Sequence, residues 1–200
     1  MLSPRHKLYL ASASPRRLAL LGQIGYVPDY VVPADIDEAH QAGESIHKMT
    51  QRLAHAKAHK IAADIADGFV LAADTAIEIG GKTLGKASSF EDVLSMISRL
   101  SGRRHRVYTS VVLIQVVSGE VAKSACKTSK TSITLKRLTG GEISEYAASG
   151  LGIGREGGFN IHSKLEAFVK LISGSYSGIV GLPLYETYSL FNGMGFCSHH

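Results

Sequence analysis

The residues best suited to chemistry lie in five short stretches that are far apart along the chain. In the first, Ser12-Ala13-Ser14-Pro15-Arg16-Arg17, Ser14 suits a helix N-cap and Pro15 the first helical position. Arg16 and Arg17 then place two cations where free backbone N–H groups already carry positive partial charge. Either both are solvated or an anion neutralises them. Phosphate fits, because N–H donors, the hydroxyls of Ser12 and Ser14, and two guanidinium forks converge there. In the second stretch, Asp35, Asp37 and Glu38 gather three carboxylates within four residues, either a solvated loop or the donor set for a hard divalent cation. The third holds Lys57, which falls on the apolar stripe of a helix, so its ammonium either snorkels off the core or points into a cleft. The fourth is Asp74-Thr75, entered directly from the apolar run Phe69 to Ala73. An unpaired carboxylate is costly to bury, so Asp74 needs a metal ion or a lysine. Lys86, which follows a Gly80-Gly81 turn, is a second candidate cation.

These side chains need a scaffold, and hydrophobic periodicity supplies one. Leu8 to Leu10 reads as a buried strand, and Pro15 to Leu21 as a helix with Leu18 and Leu21 inward. Tyr26 to Val32 reads as an edge strand because Pro28 interrupts it. A helix over Ser45 to Ala63 turns Ile46, Met49, Leu53 and Ile61 inward. Phe69 to Ala73 reads as a central strand that resumes over Ala76 to Ile79. Asp74 then lies at or just beyond a strand end, where open α/β sheets place ligands. Ser88 and Glu91 form a capping box for a helix carrying Val93, Ile97 and Leu100. A basic loop containing His105, either a ligand or a simple hydrogen-bonding residue, precedes a strand over Val107 to Val117. Ser118-Gly119 turns the chain into a returning strand that ends near Lys136. Thr139 and Glu142 form a second capping box. Gly150, Gly152, Gly154, Gly157 and Gly158 lack the strand-before-helix setting of a dinucleotide fingerprint. They either let backbone approach a ligand beside Arg155 or simply connect elements. Leu165 to Ile172 reads as a strand, Gly174 to Gly178 as a turn, and Pro183 opens a last helix with Leu184, Tyr188 and Phe191 inward.

Two hundred residues at 44% apolar content suit one α/β domain over 1–195. The tail over 196–200 ends in His199-His200 and reads as a tag remnant. Cys126 and Cys197 are the only cysteines and have no metal-ligand spacing, which argues against a disulfide framework. A formal charge of +5 favours anionic partners. The basic residues are dispersed and lack aromatic interleaving, so no stable nucleic-acid complex is expected; an RNA-binding domain would show affinity that falls steeply with salt. No apolar run is long enough to cross a bilayer, and MLSPRHK lacks a secretion signal, so the expected location is cytoplasmic with no membrane partner.

In order along the chain stand SASPRR (Ser12 to Arg17), DIDE ending at Glu38, RLAHAKA containing Lys57, AADT (Ala72 to Thr75) and LGK (Leu84 to Lys86). They are followed by LSGRRHRVYT (Leu100 to Thr109), GGFNIH (Gly157 to His162) and GSYSGIVGLPL (Gly174 to Leu184). Together these resemble the Maf-like nucleoside triphosphate pyrophosphatase family from Leu8 to about Phe191. The resemblance implies an α/β fold like that of Maf and inosine triphosphatases: a mixed twisted sheet flanked by helices, in two lobes with a cleft. It implies hydrolysis of nucleoside triphosphates to monophosphate and pyrophosphate with a divalent metal cation, Mg²⁺ or Mn²⁺. Asp74 then acts as general base, and Glu38 with Asp74 holds the metal. Lys57 and Lys86 take part in catalysis as clamps on the triphosphate alongside Arg16, with Arg17 close by. Ser12, Thr75 and His162 complete the substrate-binding set. Thr75 after Asp74 resembles the branch acting on dTTP, UTP and modified pyrimidine nucleotides. His162 stands where the family has a glutamine tied to base recognition, and Asn160 and Ser163 replace glycines. Ala56, Ala87 and Arg155-Glu156 depart from an acidic residue, a proline and Lys-Ala. A homodimer is also implied. The alternative is a nucleotide-binding regulator of cell division with weak or no turnover, favoured by Ala56 and His162; pyrophosphate release separates the two.

Overall fold

The structure, a computed structural model, describes residues 6–196, so Cys197, His199 and His200 of the expected tail lie outside the described residues, while its first residue, Phe196, packs in the core against Phe69 and Phe191. One seven-stranded sheet organises the chain, in the order β2-β1-β3-β5-β6-β7 with β4 also paired to β3. The strands are β1 (Leu8–Leu10), β2 (Tyr30–Val31), β3 (Gly68–Ile79), β4 (Lys82–Leu84), β5 (Arg104–Val117), β6 (Glu120–Leu135) and β7 (Val169–Ser173). The helices are α1 (Pro15–Gln23), α2 (Ile46–Ala62), α3 (Phe90–Leu100), α4 (Gly140–Ala148), α5 (Tyr176–Val180) and α6 (Leu184–Met194). β1 runs parallel to β2 and β3, and every other pairing is antiparallel. This is the mixed sheet flanked by helices that the sequence implies. The two-lobe expectation takes the form of two walls raised on one continuous sheet.

β3 is the central strand, and its side chains alternate between two cores as strand geometry requires. Phe69, Leu71, Ala73, Ile77 and Ile79 join the large core shared with α1, α3, α4 and α6, while Val70 and Ala72 pack with Ala54, Ala58, Ile61 and Ala62 of α2. The second face continues through Met49, Leu53 and Ala76. Asp74 therefore faces α2, and Thr75 faces the opposite side.

β3 is unbroken through Asp74-Thr75, contrary to the two-segment reading. One edge pairs with β5 from Gly68 to Glu78, and those ladder bonds carry the strand past the buried carboxylate. The other edge is shared. β1 pairs only as far as Leu71, β4 takes over at Ile77, and in between the chain leaves β1 and turns into α1. Asp74 and Thr75 thus sit mid-strand beside a gap in the sheet rather than at the end of β3. The ligand-favouring feature is the end of the neighbour β1.

Other expectations shift for identifiable reasons. Leu18 is exposed, because α1 buries the adjacent pair Leu20 and Leu21. β2 shrinks to two residues because Tyr26 leaves the edge and stacks on Phe191 at 4.2 Å. Ser45 caps α2 as expected by accepting from Lys48 N–H. The cap of α3 moves one residue on: Ser89 accepts from Asp92 N–H, and Asp92 rather than Glu91 reaches back, to Ser88. The Thr139–Glu142 capping box is present. His105 lies inside β5, buried edge-on against Phe159, not in a loop. Leu165 to Phe168 belongs to a 3-10 turn over Lys164–Phe168 that precedes β7. The supposed turn at Gly174 to Gly178 contains the start of α5. In α6 the inward residues are Thr187, Leu190 and Phe191, leaving Tyr188 half exposed.

Candidate active site

The gap in the sheet opens into a cleft of about 520 Å³, and every site residue expected from the sequence lines it: Ser12, Arg16, Arg17, Glu38, Lys57, Asp74, Thr75, Lys86 and His162. Glu38 was the one acidic-loop residue assigned a role, and it is the one that reaches the cationic centre. Asp37 closes a local turn with Ala39 N–H, and the Asp35 carbonyl accepts from Lys60.

On the α2 side the charges form an alternating chain. Lys57, buried on the inward stripe of α2, places its ammonium 2.6 Å from Asp74 Oδ1 and 2.6 Å from Glu38 Oε1. Lys86 lies 2.9 Å from Glu38 Oε2 and 4.0 Å from Glu156 Oε1. The lysine on the apolar stripe is therefore a cleft lysine and not a snorkelling one. Burial alone would raise the Glu38 carboxyl, but hydrogen bonds from Lys57 and Lys86 hold it down at about 2. Burial pushes Asp74 above the usual carboxylate range against the pull of Lys57 and Arg17. A carboxylate made more basic that lines the cleft suits proton abstraction.

The opposite side works through neutral groups. Thr75 Oγ1 lies 3.0 Å from Thr109 Oγ1, which donates to the Gly178 carbonyl at 2.7 Å. Arg17 ties this side to α1: Nε donates to the Gly181 carbonyl at 2.8 Å, with longer contacts from its terminal nitrogens to Ser12 and Thr75 at 3.3 and 3.4 Å. Gly181 adopts φ +125°, and a Cβ there would stand 3.5 Å from Arg17 Nε. Arg17 is thus a weld between α1, β3 and the end of α5, with burial lowering its affinity for its proton. Arg16 differs: it lines the cleft without a hydrogen bond or ion pair to any described residue. Ser14, expected as a side-chain cap, makes no capping bond. Its neighbour Ser12 instead accepts from Ser14 N–H at 3.2 Å.

The glycine-rich stretch shapes the far wall. At Gly152 a Cβ would sit 2.6 Å from the Gly158 carbonyl and 2.9 Å from Val93, so this glycine serves close packing onto α3 rather than ligand approach. The wall then presents Arg155, Glu156, Phe159, Asn160 and His162 to the cleft. His162 Nδ1 lies 3.5 Å from the Tyr176 hydroxyl, with the rings edge-on.

Among the described residues, no group of three or more His, Cys, Asp and Glu side chains is placed to hold a metal ion. The donor set is nevertheless of the right chemistry. Glu38 and Asp74 converge on one point, now filled by the Lys57 ammonium. Magnesium is commonly bound through one or two carboxylates with substrate phosphates completing its shell. These residues fit an ion that arrives with a phosphate chain.

Glu156 is the residue that sequence reasoning left without a role. Nothing local marks it: it follows an arginine in a glycine-rich loop, and only its antiparallel bridge to Lys86 brings it to the cleft.

A mixed-sheet α/β protein whose sheet opens beside its central strand into a cleft of cations and paired carboxylates belongs to the class that receives small polyanions. The chain belongs to the Maf family: residues 7–194 match the family described as Maf-like protein. It is 46% identical over 189 residues to the dTTP/UTP pyrophosphatase of Hyphomonas neptunium, covering 94% of this chain and 96% of the relative. It is 41% identical over 189 residues to the nucleoside triphosphate pyrophosphatase of Orientia tsutsugamushi, covering 94% and 92%. Among solved structures, a HAM1 protein from Coxiella burnetii aligns with a TM-score of 0.47 at 14% identity, over 94% of this chain and 99% of that one.

Proposed function

We propose that the protein hydrolyses pyrimidine nucleoside triphosphates, dTTP and UTP foremost, to the nucleoside monophosphate and pyrophosphate. The observation that carries this reading is the buried Asp74 carboxylate beside the sheet gap, with Lys57 shared between it and Glu38. Arg16, Lys57 and Lys86 bind the triphosphate and offset the charge that gathers on the departing pyrophosphate. Asp74 takes the proton from the attacking water as oxygen bonds to the α-phosphorus and the bond to the β-phosphate oxygen breaks. Glu38 and Asp74 would hold a divalent cation, which when bound supplies positive charge to the phosphates and acidifies water. Apolar lining from Ile77, Phe159, Ile161 and Ile179 excludes water from the remainder of the nucleotide, and His162, beside the Tyr176 hydroxyl, offers a polar edge to the base. The relatives' names support the pyrimidine preference.

The test is pyrophosphate release from dTTP, UTP, CTP, 5-methyl-UTP and 7-methyl-GTP under one set of conditions with Mg²⁺ or Mn²⁺. A kcat/KM for dTTP and UTP at least about tenfold above that for 7-methyl-GTP is expected, within the range a shaped pocket with placed hydrogen bonds delivers. Equal rates across the panel would remove the pyrimidine assignment. Binding without pyrophosphate release would leave a nucleotide-binding regulator.

A further inference from the structure

Glu38 serves two lysines with one carboxylate, Oε1 to Lys57 and Oε2 to Lys86. A group that draws Glu38 toward itself therefore loosens both. Lys57 keeps Asp74. Lys86, whose side chain is 57% exposed, keeps only Glu156.

Glu156 is built to remain. Its backbone is stitched to the segment that carries Lys86: the two residues face each other in an antiparallel bridge. Ala87 N–H donates to the Arg155 carbonyl at 3.0 Å, and Gly157 N–H to the Gly85 carbonyl at 2.8 Å. Gly157 holds the register at φ +61°, where a Cβ would crowd Ile77 at 3.2 Å. Lys86, Asp74, Glu38, Lys57 and Arg17 are charged groups around the Glu156 carboxyl. Burial raises it to about 7, with Asp74 and Glu38 adding to the rise and Lys86 opposing it. An exposed lysine with no fixed partner must lose its rotamer freedom when phosphate binds, whereas one already held loses less.

We propose that Glu156 is a positioning residue for Lys86, keeping its ammonium at the rim of the cleft so that it meets the phosphate chain after Glu38 has turned away. The proposal rests on the triphosphate reading of the cleft, and a binding measurement without turnover tests it separately.

The experiment is a double-mutant cycle with Glu156→Ala, Lys86→Ala and the pair, read as affinity for inorganic tripolyphosphate by calorimetry with Mg²⁺ and as KM and kcat for dTTP. Glu156→Ala should weaken tripolyphosphate binding about five- to tenfold, consistent with about 1 kcal/mol of side-chain ordering, and the change with dTTP should fall on KM rather than kcat. In the Lys86→Ala background the same substitution should change binding less than about twofold. Glu156→Gln, which keeps the shape, should weaken binding like alanine and carries the cycle if Glu156→Ala fails to fold. Unchanged or tighter binding by either variant, or an equal loss when Lys86 is already absent, would overturn the proposal. Should the wild type bind tripolyphosphate but release no pyrophosphate from dTTP, the hydrolytic reading falls, and the cycle still decides the role of Glu156.

Discussion

Asp74 and Thr75 are neighbours in one strand, yet they serve two walls of opposite design. On the α2 side, Asp74 enters a chain of full charges, Asp74–Lys57–Glu38–Lys86–Glu156, whose members can trade partners when a polyanion arrives. On the α5 side, Thr75 enters a net of hydroxyls and carbonyls, Thr75–Thr109–Gly178, pinned by Arg17 to Gly181. The difference teaches a division of labour: the charged wall is suited to respond to substrate, and the neutral wall holds the strand and α1 in register while it does so. The same contrast separates two adjacent arginines. Arg16 faces the cleft without a partner among the described residues, whereas Arg17 is committed to the scaffold.

Breaking the charged wall should have the largest effect on stability. Lys57→Met leaves Asp74 buried without its counter-ion, and loss of one member of a buried pair typically costs about 3–5 kcal/mol. A lowered thermal midpoint together with loss of turnover is expected, and an unchanged midpoint would show that the pair is not structural. The neutral side carries a titration of its own. His105 projects from the same face of β5 as Thr109, and neither ring nitrogen has a hydrogen-bond partner among the described residues; burial lowers its pKa to about 4. The unfolded chain, with His near 6.5, binds the proton first, so this contribution to stability is complete above about pH 6.5. It is lost as pH falls toward 4, by on the order of 3 kcal/mol. Denaturant midpoints measured from pH 7 to 4 should fall more for wild type than for His105→Phe, which has no imidazole to protonate, and parallel curves would contradict this. The arginine pair sharpens the comparison further. Arg17→Ala should reduce both stability, by about 1–3 kcal/mol for the groups left unpaired, and activity. Arg16→Ala should leave the midpoint within about 0.5 kcal/mol, as for a substitution without buried partners, while raising KM. Thr109→Val should have a modest effect, about 1 kcal/mol from lost hydroxyl bonds, read by chemical denaturation with turnover largely kept.

Lys57 and Asp74 were legible in the sequence because each offends its own segment, a lysine on an apolar stripe and an acid after a buried run. Such violations mark sites that tertiary structure must resolve. Arg16 and Arg17 offended equally, and nothing local could separate them, since the partner that commits Arg17 lies 164 residues away. The continuity of β3 was hidden because Asp-Thr resembles a strand end, while the ladder that sustains it belongs to β5. Glu156 was hidden for the converse reason: it breaks no local rule, and the bridge that gives it meaning is a long-range contact. The Thr109 hydroxyl reads as an ordinary strand residue. The long strands, α2 and the capping box of α4 were legible because periodicity and caps are local. The 3-10 turn before β7 was not, since its apolar residues continue a strand-like run.

The central claim is that the cleft performs hydrolysis and that Asp74 on the charged wall takes the proton. Asp74→Asn keeps the size of the side chain and its place beside Lys57 while removing the basic oxygen. Pyrophosphate release from dTTP should fall by about 10²–10⁴-fold, the usual scale for a general base, with nucleotide binding retained. Wild-type and Asp74→Asn protein releasing pyrophosphate at the same rate would contradict the account.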